Sequence, residues 1–300
     1  MKLLTSRDFP LAGGCVFAVG VFDGVHLGHA RLLAKAKELA RGARLPLAVY
    51  TFGSMPHKGG YLTGAEEKLR LLSECGADAA YCADFGSVRG TSAKSFAENV
   101  IRRDFRALYA VCGADLRFGA GREGDPKLLA EYVPHVLTVP ELTTDGKTVS
   151  SSLIRSLVSQ GKMKEAARFL GREYSFCLEV VRGSRLGSEI GFPTANQRFP
   201  EEACAPRRGV YYGRCELENV SYPCVTDIGV KPTVSAGGEL ACETHIIGFS
   251  GELYGKKLRV FPLEYIRDEL KFDTVASLRE QIAADVAYAK AKADTGKIED

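Results

Sequence analysis

His26 and His29 stand three residues apart in the run Gly20-Val21-Phe22-Asp23-Gly24-Val25-His26-Leu27-Gly28-His29, which leaves an apolar stretch and enters a helical pattern. Turns of this kind, at the carboxyl end of a parallel strand, are where open sheets bind ligands. A helix start offers backbone N–H groups and the positive end of the peptide dipole. With two imidazoles beside it, such a turn can hold a triphosphate and stabilise charge on departing pyrophosphate. Gly20, Gly24 and Gly28 let phosphate approach the backbone, and Phe22 and Asp23 lie within the same turn. The dipole contributes only about 0.3–1 kcal/mol per anionic contact, so the histidines and further cations must supply most of the rate enhancement. The plainer alternative is a glycine-rich turn where two of five histidines fall by accident.

Ser150-Ser151-Ser152-Leu153-Ile154-Arg155 places three hydroxyls at a helix start and an arginine one turn later, all able to meet phosphate oxygens. Ordinary capping accounts for one serine and is the competing explanation. Residues 113–125 hold Asp115, Arg117 and Phe118 and are too polar for a core loop, which suits the wall of the same cleft. Gly119, Gly121 and Gly124 mimic a dinucleotide fingerprint, yet they begin well past the strand expected before them. Gly146-Lys147-Thr148 mimics the end of a P-loop, but Glu141 stands where its first glycine belongs, so there is no such site.

In the second half Gly183, Gly187 and Gly191 recur every four residues and lead into Phe192-Pro193-Thr194-Ala195-Asn196. Glycines so placed let backbone close over phosphates. Thr194 and Asn196, two apart in an extended segment, point the same way and can serve Mg²⁺. A barrel turn with glycine kinks is the alternative. Glu243 interrupts the apolar run 241–247; aimed into a barrel mouth it can act as a general base, and a place on a solvated outer face is the plainer alternative. His245 shares its face and reads as structural.

These residues need elements to hold them. Apolar runs at 15–21, 45–52, 78–84, 108–112 and 135–139 alternate with helical periodicity, which predicts about five strands in a doubly wound parallel sheet. The first helix spans 27–41, with Leu32, Leu33, Ala36 and Leu39 on one face and Gly42 as its stop. Thr63 and Glu66 have capping-box spacing, and Asp125-Pro126 opens another helix. Two helices follow, closed by Gly161 and Gly171. After Tyr174 short alternating strands predict a small antiparallel, Greek-key-like β-barrel, with a C-terminal helix over 274–292. The expected division is 1–172, a nucleotidyltransferase-like α/β domain, and 173–300, the barrel.

Composition bounds the partners. Three hundred residues, 45% of them apolar, suit two domains. Forty basic residues against 37 acidic ones give no broad field for nucleic acid or an anionic membrane. Nine cysteines without a Cys-x-x-Cys pair favour free thiols in a reducing compartment, and no apolar stretch reaches the ~20 residues of a membrane span. A cytoplasmic location is expected.

Taken together, residues 20–29, 113–125, 149–155, 183–196, Gly209-Val210-Tyr211, 228–233, Glu243 and 267–272 resemble the prokaryotic bifunctional riboflavin kinase and FAD synthetase (FMN adenylyltransferase) family, in order from about residue 15 to 290. The resemblance implies that the barrel phosphorylates riboflavin to FMN with ATP and Mg²⁺. Thr194 and Asn196 would then stand at the metal and phosphates, and Glu243 would be the base. It implies that the first domain adenylylates FMN to FAD with a second ATP, with His26, His29, Ser150, Ser151 and Arg155 steadying phosphates. Asp115, Arg117, Phe118 and Arg267 become flavin-binding or cleft-lining candidates.

The family's Thr-Phe-Asp-Pro-His-Pro stretch is replaced by Thr51-Phe52-Gly53-Ser54-Met55-Pro56-His57, and its Asn by Asp227. The first change motivates an alternative, a kinase whose first domain binds nucleotide but adenylylates poorly or not at all. A third reading is a non-catalytic flavin- or nucleotide-responsive regulatory protein. Oligomeric state is not legible.

Overall fold

Strand β2 (Cys15–Val19) is buried along its whole length, and that fixes the first half of the fold. Cys15, Phe17 and Val19 join one apolar cluster with Phe96, Ile101 and Phe105, whereas Val16 and Ala18 join another with Leu33, Ala36 and Leu72. A strand covered on both faces belongs inside a parallel sheet, which explains its uninterrupted apolar run. The computed structural model describes residues 1–53, 59–183, 186–218, 220–231 and 239–296. The chain divides into two compact units, Met1–Leu153 and Ile154–Asp300.

The first unit is a six-stranded parallel sheet in the order β1-β4-β3-β2-β5-β6. Its other strands are β1 (Lys2–Leu3), β3 (Leu47–Phe52), β4 (Ala79–Ala83), β5 (Ala107–Gly113) and β6 (His135–Val139). The doubly wound sheet is as expected, with one more strand; β1 is too short to leave a sequence pattern. Order reverses beside β2, so the loop leaving it opens at the switch point. The helix Leu27–Ala43 covers β2, β3 and β5 through Leu32, Leu33, Ala36 and Ala40. It ends at Arg44 in the left-handed region (φ 56°), with Gly42 inside the last turn, so the expected glycine stop is corrected. The capping box at Thr63 is corrected too: Gly64 caps the helix Ala65–Glu74, and the Thr63 hydroxyl is turned elsewhere. Strands β7 (Thr143–Thr144) and β8 (Lys147–Thr148) form a small hairpin.

The second unit is a closed antiparallel barrel in the order β10-β13-β12-β11-β14-β9. Its strands are β9 (Phe176–Val181), β10 (Ala195–Arg198), β11 (Gly209–Leu217), β12 (Val220–Lys231), β13 (Glu239–Ile246) and β14 (Lys257–Arg267). Strands β11, β12 and β13 form a meander, and β10 bridges β13 to β9. Thr226, Ile228, Cys242 and Thr244 fill the interior, where Gln197 donates to the Leu178 and Leu258 carbonyls at 2.7 and 2.8 Å. The helix Val275–Gly296 packs Val286 and Ala289 on Val210 and Val225, the outward face of β11 and β12.

Compactness ends the first unit near residue 153, earlier than the expected boundary at 172/173. The helix Met163–Leu170 packs on β14, and Arg207 donates its N–H to the Val158 carbonyl at 3.2 Å, tying this segment to the barrel.

Candidate active sites

In the first unit the turn after β2 is shaped by three left-handed residues, Phe22 (φ 50°), Gly24 (φ 79°) and Val25 (φ 37°). Two of these are not glycine, so the surroundings must hold them there. Asp23 is 2% exposed and its Oδ1 accepts the Leu62 and Thr63 N–H groups at 2.8 and 3.2 Å. The Gly24 N–H donates to Thr63 Oγ1 at 3.1 Å, and the Ser151 hydroxyl to the Asp23 carbonyl at 2.8 Å. Asp23, Gly24 and Ser151, all expected at phosphate, thus have loop-building bonds as their observed contacts. Phe22 is buried, its ring under Gly20 and edge-on to His29.

His26 caps the helix by accepting the His29 N–H at Nδ1, and the two rings stack with centroids 3.6 Å apart. Gly28 sits against that stack, since a Cβ there would stand 3.2 Å from the His26 ring. The first-turn amides of Leu27 and Gly28 precede any intrahelical acceptor, as at every helix start, and are anion donors. Ser150 accepts the Leu153 N–H at 3.3 Å as an ordinary cap. Arg155 lies in the second unit, where its carbonyl meets the Cys204 thiol. Asp115 and Arg117 are exposed, but Phe118 is corrected: it is a core ring packed on Phe96 and under Gly124, not a cleft wall.

Lys68 was not singled out in the sequence. It is 3% exposed and donates to the Phe52 carbonyl at 2.7 Å, at the strand end where the family motif is lost. Burial lowers its pKa, while the carboxylate of Asp23 and the thiol of Cys82 oppose that. Its spacing with Leu71 and Leu72 on an apolar helix face was the available signal. Gly53 has room for a side chain, with Cys82 Sγ the nearest atom to a Cβ at 3.6 Å; Ser54, Met55, Pro56 and His57 lie outside the described residues.

In the second unit one row of cross-strand partners runs Asn196, Glu243, Asp227, Val210, Arg267 over β10, β13, β12, β11 and β14. Directly paired residues share a face, so all five point the same way, and it is the outward one because Cys242 and Thr244 take the interior. Glu243 is therefore not aimed into the barrel, a correction to the expectation. It is half-buried beside Thr194, whose hydroxyl donates to Oε2 at 3.4 Å. Asn196 Nδ2 reaches the Thr194 carbonyl and hydroxyl at 3.3 and 3.4 Å. Lys231 touches both Asn196 Oδ1 and Glu243 Oε1. His245 lies 2.9 Å from the Pro193 carbonyl and edge-on to Phe192.

The glycines follow from contact. A Cβ on Gly183 would stand 2.5 Å from the Asn196 amide, and one on Gly187 would stand 2.5 Å from the Phe192 carbonyl and 3.3 Å from Thr194 Oγ1. Gly191 instead supplies a left-handed turn (φ 89°). Gly183→Ala is thus expected to displace Asn196 and lower turnover at the barrel site at least tenfold, leaving the first unit's activity intact; separate assays of the two activities check this. Two cavities flank the pair. One of about 290 Å³ is bordered by Thr194, Ser188, Phe249 and Tyr254, and one of about 480 Å³ by Asn196, Arg182, Lys231 and Glu243.

Arg267 is clamped to Asp285 of the C-terminal helix, its Nε 3.1 Å from Oδ1 and a terminal nitrogen 2.6 Å from Oδ2. Between it and Glu243 lies Asp227, whose Oδ1 is buried with no hydrogen-bond partner. Burial, then the Glu269 and Glu243 carboxylates and that of Asp285, push its carboxyl up to about 6 against the pull of Arg267. A raised acid costs stability once it ionises. This cost is absent below the unfolded value near 3.8, grows as pH rises towards 6, and stays above it. Asp227→Asn is expected to stabilise the barrel by about 1–3 kcal/mol at pH 8 and by little at pH 4. Urea unfolding of both proteins at the two pH values checks the sign.

A doubly wound sheet with a helix start at its switch point is followed by a closed barrel with cation-suited oxygens on its outer face, and the family matches make the pair a two-domain transferase. The FAD synthetase family model matches residues 9–153 and the riboflavin kinase model residues 170–293. The chain belongs to the bifunctional riboflavin kinase/FMN adenylyltransferase family. It is 34% identical over 290 residues to that enzyme of Escherichia coli K12, covering 92% of each chain. To the Bacillus subtilis 168 enzyme it is 32% identical over 284 residues, covering 90% of each. A crystal structure described as a macrolide-efflux protein from Streptococcus pneumoniae superposes with a TM-score of 0.85 at 29% identity, covering 97% of this chain and 99% of that one. Among the described residues no helix is long and apolar enough to cross a membrane.

Proposed function

We propose that the barrel phosphorylates riboflavin to FMN and the α/β unit adenylylates FMN to FAD, each with its own ATP. The observation that carries the kinase assignment is the convergence of Thr194, Asn196 and Glu243 on one outward patch between two cavities. Glu243 takes the proton from the riboflavin hydroxyl, that oxygen bonds to the γ-phosphorus, and the bond to ADP breaks. The aromatic side of the Thr194 cavity suits a nucleobase.

The donors present fit Mg²⁺, since the Thr194 hydroxyl and the Asn196 amide oxygen are hard ligands beside the negative charge of Glu243, and an ammonium already rests on Asn196 and Glu243. Thr194 and Asn196 would hold the ion, which supplies charge neutralisation at the phosphates. Gly183 and Gly187 keep those two side chains in place.

In the first unit a phosphate oxygen of FMN bonds to the α-phosphorus of ATP and pyrophosphate leaves. The stacked His26 and His29 and the Leu27 and Gly28 amides take up charge on the departing group. A cytoplasmic location is part of this reading; the nine free cysteines, six of them buried, support it. Incubating the protein with riboflavin and Mg·ATP and separating the flavins tests the whole. FAD is expected; FMN alone would favour the kinase-only alternative raised by Gly53, and neither product would sink both.

A further inference from the structure

Lys231 ends β12, and its strand partner on β13 is Glu239. A lysine directly opposite a glutamate ordinarily pairs with it. Here Glu239 is held by Arg198 at 3.2 Å, and Lys231 instead reaches back two rows to Glu243 and Asn196. On β12 and β13 the row between carries only Gly229 and Ala241, small residues that leave the lysine stem room beside the Glu269 carboxylate, which lies over Gly229, and Arg198, the partner of Ala241 on β10. The ammonium thus sits on the Asn196 oxygen that the proposed kinase site offers to a divalent cation, and on the Glu243 carboxylate beside it.

We propose that Lys231 is a positioning residue that acts as a tethered placeholder cation: it keeps Glu243 charge-compensated and Asn196 oriented until metal-bound nucleotide displaces it. The inference rests on the kinase reading of the barrel. An ammonium and a divalent ion cannot share the Asn196 oxygen, because like charges at that separation repel and each needs the same lone pairs. Metal binding must therefore break the Lys231 contacts. Their worth is modest, since the lysine and glutamate side chains are 37% and 33% exposed, which keeps the placeholder displaceable. The stem remains on the wall of the 480 Å³ cavity, so the displaced ammonium stays beside the site.

The test is direct titration of Mn²⁺ into the full chain without nucleotide or flavin, followed by electron paramagnetic resonance of the free ion. Lys231→Met is expected to tighten one Mn²⁺ site about three- to tenfold, and Lys231→Arg to leave it near the parent value. Adding Glu243→Gln to Lys231→Met is expected to abolish the gain. Cooperative urea unfolding of the barrel checks folding, and Lys231→Gln replaces the methionine variant should that control fall. Unchanged or weaker Mn²⁺ binding in the folded variant, or a gain that survives Glu243→Gln, overturns the placeholder. A parent protein that makes no FMN from riboflavin overturns the kinase reading instead, whatever the manganese result.

Discussion

Glu243→Gln is expected to lower FMN formation from riboflavin by about 10²- to 10⁴-fold, the usual range for loss of a general base. The substitution is nearly isosteric and keeps an oxygen for the Thr194 hydroxyl. What it removes is proton affinity and the ion pair with Lys231. The pair is half-exposed and contributes little to stability, so the variant should fold. Conversion of supplied FMN to FAD should continue at the parent rate. An FMN rate within about threefold of the parent would show that the outward carboxylate is no base.

His29→Ala is expected to do the reverse, reducing FAD formation about 10²- to 10³-fold while FMN still accumulates from riboflavin. His29 is the cleaner of the two imidazoles to remove. The cap runs from its backbone N–H to His26 Nδ1, so alanine at position 29 keeps the helix start and loses only the stacked ring. Replacing His26 would cost the cap as well. Chromatography of flavins from the two substrates, run separately, decides the outcome. Loss of both activities in a folded variant would contradict two independent sites.

Much of the fold was legible because each buried strand of the parallel sheet leaves an apolar run, and because Gly161 and Gly171 close their helices as glycine usually does. What escaped had no local signature. Arg44 ends its helix in a conformation that glycine normally takes, and Thr63 has capping spacing but spends its hydroxyl on Gly24. Both outcomes are set by contacts distant in sequence. The candidate residues Thr194, Asn196 and Glu243 were legible by type, and the structure brings them together.

The face they occupy was not legible, since alternation in β13 fits either side until Cys242 and Thr244 are seen to fill the interior. Phe118 illustrates the opposite error: polar neighbours suggested a cleft, yet its ring lies beneath Gly124 in the core. Lys231 sat inside a recognised block without a role, because its contact skips the glutamate opposite it.

The row from Asn196 to Arg267 runs through a ring of strands that has no loose edge. Chain length within β12 and β13 is therefore under tighter constraint than residue identity at most of their positions. Dropping a single residue between Asp227 and the end of its strand would invert every side chain beyond the gap unless a bulge took up the change, because each neighbour is already engaged on its other side. A one-residue change in strand length can enter this closed ring only as a bulge, and β14 already carries two such irregularities opposite Val210/Tyr211 and Tyr212/Gly213.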